Sequence, residues 1–99
     1  MSKPIALVAG TFTATGNGLS VPLYGNFNYT LSGTWVGTVV LERSYDDGVS
    51  WVTTSKPDLT PASFTAVIDG VGLEPEAGVL YRWRCSVFTS GTIEYRLSR

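Results

Sequence analysis

The sequence predicts an all-β fold, an antiparallel sandwich of about seven or eight short strands. Three observations predict it. No segment carries a helical apolar period over ten residues. Apolar and polar residues alternate instead, the mark of strands with one wet face. Thr and Val, at 12 and 11, are with Gly the commonest residues, and β-branched chains suit a pleated, half-buried surface.

The elements follow in chain order. Residues 1–9 form a short, apolar-leaning stretch, expected as an extended N-terminal arm ahead of one sandwich domain over 10–99. Residues 11–13 and 19–21 are weak strand candidates, and Pro22 confines the second to an edge or strand end. In 26–32, Phe27, Tyr29 and Leu31 share a face. In 38–45, Val39, Leu41 and Tyr45 share a face with Arg43, opposite Glu42 and Ser44. In 63–69, Phe64, Ala66 and Ile68 alternate with Thr65 and Val67. In 79–87, Val79, Tyr81, Trp83, Cys85 and Val87 alternate with Arg82, Arg84 and Ser86. In 92–98, Ile93, Tyr95 and Leu97 alternate with Glu94 and Arg96. Between these runs, Gly16-Asn17-Gly18, Asp47-Gly48 and Ser90-Gly91 read as hairpin turns. Asp69-Gly70, Gly72 and Leu73-Glu74-Pro75 read as a longer corner. Pro57 and Pro61 bracket a loop.

Ninety-nine residues make one domain, with a core large enough to need no metal or disulfide. A net charge of −1 leaves no footprint for nucleic acid or an anionic membrane. The single Cys85 cannot form an internal disulfide, which fits a reducing compartment. The apolar run near the N-terminus is too short for a signal-peptide core, and no stretch approaches a membrane span. With no His, neither Cys85 nor any Ser has an activating imidazole. The eight carboxylates scatter over turns and strand edges. The expectation is a protein that is not an enzyme and carries no cofactor.

SYDDGVSW, residues 44–51, is the most patterned stretch. It resembles the Asp-box, Ser/Thr-x-Asp-x-Gly-x-Ser/Thr-Trp, with Ser44, Asp46, Gly48, Ser50 and Trp51 all present. The motif recurs in sialidase propellers and occurs singly elsewhere, away from catalytic centres. The expected role is a structural turn. Asp46 would accept backbone N–H groups, Gly48 would supply positive φ, and Trp51 would pack over the hairpin base beside Tyr45. Asp46 and Asp47 supply too few oxygens for Ca²⁺, so no metal is expected.

GLEPEAGVLYRWRCSV, residues 72–87, resembles the corner and following strand of fibronectin type III and related immunoglobulin-like sandwiches. That likeness makes the expected fold immunoglobulin-like. It implies a tyrosine corner in which Tyr81 bonds back to the corner backbone above Leu73, with Trp83 and Cys85 in the core. Arg82, Arg84 and Arg96 are expected as a basic stripe on two neighbouring strands, either solvated beside Glu94 or an intersubunit contact. Trp35, between glycines, is either a core lid or an exposed anchor.

The chain as a whole, above all GTVVLERSYDDGVSW and YRWRCSVFTSGTIEYRLS, resembles small immunoglobulin-like virion proteins of tailed bacteriophages. The resemblance implies a virion component made in the bacterial cytoplasm, foremost a head decoration or cement protein. Its partners would be the major capsid protein or other virion subunits, and it would form a homo-oligomer, a trimer above others. Ile5, Leu7 and Val8 of the arm, with Trp35, Arg82, Arg84 and Arg96, are the candidate partner contacts. A tail or fibre position, or a carbohydrate- or host-surface-binding module using Trp35, Tyr24 or Tyr45, is the alternative.

Overall fold

A computed structural model describes residues 5–99. Two antiparallel sheets pack as a β-sandwich. The first holds β1 (Leu7–Phe12), β10 (Ile93–Ser98), β4 (Gly25–Ser32) and β8 (Ile68–Glu74), side by side in that order. The second is built on β9 (Leu80–Gly91) and β5 (Trp35–Ser44). Four two-residue strands trim it. Of these, β2 (Gly16–Asn17) and β3 (Val21–Pro22) lie on β9, and β6 (Val52–Thr53) and β7 (Ser63–Phe64) lie on β5.

Period-two patterning builds the core. Phe27 and Leu31 from β4, Val39 and Leu41 from β5, Tyr81, Trp83 and Cys85 from β9, and Ile93, Tyr95 and Leu97 from β10 all point inward and are buried. Trp83 is fully buried at the centre, with Phe64 and Tyr29 meeting it near edge-on at 5.8 and 6.1 Å. Its indole N–H donates to the Arg96 carbonyl across the sheets (3.3 Å), so the largest core side chain leaves no buried donor unpaired.

Several expectations need correction. The arm does not extend to residue 9. Leu7, Val8 and Ala9 pair with Ser98, Leu97 and Arg96, and Val8 packs against the core. Alternation resumes here because Val8, Gly10 and Phe12 form the inner row of β1. Residues 1–4 of the expected arm lie outside the described residues.

Ser90-Gly91 is not a hairpin turn. The chain changes sheet there, so β10 lies between β1 and β4 rather than beside β9. Gly91 has φ 90°, and a Cβ would stand 2.1 Å from the Thr34 carbonyl oxygen. Only glycine makes this corner against the start of β5. In immunoglobulin domains the last strand pairs with the one before it, so this sandwich has its own connectivity. Gly16-Asn17 is likewise a strand, paired with Cys85 and Arg84, and not a turn.

The expected corner at 69–74 is strand β8. Gly70 and Gly72 face inward opposite Tyr29 and Phe27, whose rings lie where Cβ atoms would be, at 2.3 and 2.6 Å. Gly10 stands in the same relation to Tyr95 on the far edge (2.6 Å). Both edges of this sheet are thus glycine strands roofed by aromatic rings from the strand beside them. The strand expected at 63–69 is split: Ser63 and Phe64 form β7, and Ile68 and Asp69 open β8.

Candidate functional site

The turn at 44–51 closes its hydrogen bonds within itself. The Asp46 carboxylate accepts the Ser50 amide (2.9 Å), the Ser44 hydroxyl (2.7 Å) and the Ser50 hydroxyl. The Ser44 oxygen accepts the Gly48 amide at 2.8 Å, and the Trp51 indole donates to the Gly48 carbonyl at 3.1 Å. Asp47 and Gly48 take φ of 61° and 91°, left-handed positions that asparagine, aspartate and glycine tolerate best. The bonds from Ser50, then Ser44, hold the Asp46 carboxyl down at about 2. The Asp46 carboxylate and the Ser44 oxygen are taken up by the turn's own donors, so the geometry is that of a staple. Trp51 does not stack on Tyr45. It lies under the Arg82 guanidinium at 4.1 Å, while Arg43 stands 5.0 Å over Tyr45.

Arg82 therefore links the turn to the outer face of the second sheet. Arg82 and Arg84 grip the two oxygens of Glu42 at 3.0 and 2.9 Å. Glu42 is buried under them. Trp51, Arg82, Glu42 and Arg84 form one row: Arg82 covers the Trp51 ring, and each guanidinium donates its Nε–H to one Glu42 oxygen. The expected basic stripe is broken, because Arg96 stands in the other sheet and bonds Ser98 (2.8 Å). Period-two patterning aligned the three arginines by parity, but parity does not say which sheet a strand joins.

The cluster that sequence reasoning missed lies between the sheets. Glu74 on β8 is 1% exposed. One of its oxygens accepts the Tyr81 hydroxyl (2.7 Å) and the Arg43 guanidinium (2.9 Å). The other accepts the Glu76 amide (3.0 Å). This corrects the tyrosine corner: Tyr81 bonds a side chain and not the corner backbone, and Leu73 is exposed beside it. Burial, then the bond to Glu74, raise the Tyr81 phenol far above its ordinary range, so it serves as a donor only. The signal for this cluster was Arg43, a cation in the inward register of Val39 and Leu41, which needs a buried acid opposite.

Beside the cluster the sheets part along the flank between β8 and β6. The crevice there, about 470 Å³, is lined by Phe27, Tyr29 and Tyr81 among others, with Arg43 and Lys56 also on its wall. The remaining candidates are dispersed. Ile5 is 78% exposed, and Leu7 is half-exposed on β1. Trp35 is half-buried and packed on the core, with its indole N–H buried and unpartnered among the described residues. That is the lid reading, and no exposed anchor stands there. Cys85 is buried, and burial pushes its thiol up.

Comparison with protein-family models, with curated proteins and with solved structures finds no match to this chain.

Proposed function

We propose that this chain is a non-catalytic structural subunit of a tailed-phage virion, foremost a decoration or cement protein that braces the head. The observation that carries the structural reading is the use made of its buried acids. Glu42 is held by two arginines, and Glu74 by Tyr81, Arg43 and a backbone amide. Asp46, though exposed, is consumed by its own turn. Groups spent on rigidity are poor catalysts, since an acid or base needs a free lone pair or proton aimed at a substrate. A stiff sandwich with short turns suits bracing, where load passes through packed surfaces. The virion assignment rests on the resemblance of residues 37–51 and 81–98 to phage proteins, and with it the capsid partner, the homo-oligomer and synthesis in the bacterial cytoplasm.

Shells lacking the chain provide the test. Added protein should co-sediment with them at saturating, fixed stoichiometry and raise the temperature at which they release DNA. Protein left in the supernatant by intact shells would overturn the head assignment.

The crevice favours one second reading, a module that holds a carbohydrate. Its lining combines aromatic side chains with a few polar groups, the mixture that small-molecule sites use. Amide chemical-shift changes at the crevice residues on adding a glycan series, with no binding to shells, would select this reading.

A further inference from the structure

The two sheets treat their edges differently. Every edge segment of the second sheet is a two-residue strand, and one contains Pro22. Such truncation blocks edge-to-edge pairing. The first sheet ends in β1, six residues, and β8, seven residues. Neither contains Lys, Arg or Pro, and the register of each with its inner neighbour runs without a bulge. Among the described residues each pairs on one side only. Both carry exposed apolar side chains on the outer face, Leu7 on β1 and Val71 and Leu73 on β8.

The two edges also fit each other. The first sheet is antiparallel throughout and has four strands, so β1 and β8 run in opposite directions. A second copy held in the same orientation can therefore present its β1 antiparallel to β8 of the first. The register that sets Leu7 against Leu73 continues as Val8 with Gly72, Ala9 with Val71, Gly10 with Gly70, Thr11 with Asp69, and Phe12 with Ile68. Outward residues meet outward residues, and inward meet inward, over all of β1. The outer row is two apolar pairs and one Thr with Asp, the partnership Asp69 already makes with Thr30 on its other side (3.3 Å). The inner row sets Gly10 against Gly70 and Val8 against Gly72, so the Tyr95 and Tyr29 rings that roof Gly10 and Gly70 meet with no Cβ between them. The inserted strand would lie along the open crevice flank.

We propose that copies of this chain associate head to tail through β1 of one and β8 of the next, continuing the first sheet in this register. Such a heterologous contact closes into a ring or runs on as a filament, according to the angle it sets. Backbone bonds supply the affinity, and side-chain parity supplies the register. The inference stands on the sheet edges alone. A chain that never meets a virion would still self-associate, and a virion subunit that binds shells as a monomer would leave the proposed function standing.

Two double variants test it. Ala9 and Val71 are both exposed, and within one chain they lie three strand spacings apart, about 14 Å, beyond a Debye length at physiological salt. They face each other only across the proposed contact. Light scattering over a concentration series should show the wild type associating. The A9K/V71K variant sets like charges opposite each other. It should need about tenfold more protein to associate than A9K/V71E, which sets opposite charges there. A monomeric wild type overturns the proposal. So does equal association of the two variants, the outcome expected if β8 pairs with β8 or the contact lies elsewhere. Circular dichroism checks that both variants fold. Should either fail, T11K alone and T11K/D69K repeat the comparison, and the single variant should associate more tightly.

Discussion

Asp46 shows how far one side chain can organise its surroundings when its partners are near in sequence. Its carboxyl is held at about 2, below the ordinary 3.8. A depressed folded-state value means that the ionised group stabilises the fold above the unfolded value and that this contribution is lost as pH falls through the folded one. The window therefore runs from about pH 4 down to about pH 2. Asp46→Asn should lower the urea midpoint at neutral pH. The difference from the wild type should shrink through that window. A constant difference down to the bottom of it would mean that the charge is idle. Gly48 contributes differently, since a Cβ there would meet only Leu80 and Trp51 at 3.7 and 3.8 Å. Space is open, and the backbone angle alone demands glycine.

Among the elements, β8 is the instructive one. Its inward positions are Gly70 and Gly72, and its outward positions include Val71 and Leu73. Gly70→Ala should cost about 1–3 kcal/mol by overpacking, because the new methyl meets the Tyr29 ring. Val71→Ala, two-thirds exposed, should change the denaturation midpoint little. A harmless Gly70→Ala would mean that the ring is free to swing. The same arrangement explains why β8 was illegible. An apolar alternation marks the face that is filled, and here neighbouring rings do the filling. β4, β5, β9 and β10 were legible because each fills its own inner row. The Asp46 turn was legible because all its bonds span four residues or fewer. The Glu74 cluster was not, since Arg43 lies 31 residues away in sequence. Nor was the place of β10, because alternation reports a strand's face and says nothing of its neighbours.

For the molecule as a whole, Glu74 makes the charged link between the sheets. Glu74→Ala strands the Arg43 charge and the Tyr81 hydroxyl together, and should cost about 3 kcal/mol. Arg43→Met with Glu74→Leu should recover the share due to the stranded charge, because an apolar pair of similar volume avoids the desolvation that the ion pair bears, while the Tyr81 hydroxyl stays unpaired. Thermal melts of the single and double variants check both statements. A double variant as weak as the single one would mean that the link does more than neutralise charge.

The position of β10 also bears on how the polypeptide is made. Within this domain β1 cannot take its place in the sheet until β10, the last of the strands in chain order, has followed it. At roughly 5–20 residues per second, synthesis leaves the early strands waiting for seconds. A ribosome that stalls before Ile93 then leaves β1 without its neighbour, while β4 with β8 and β5 with β9 still hold their partners.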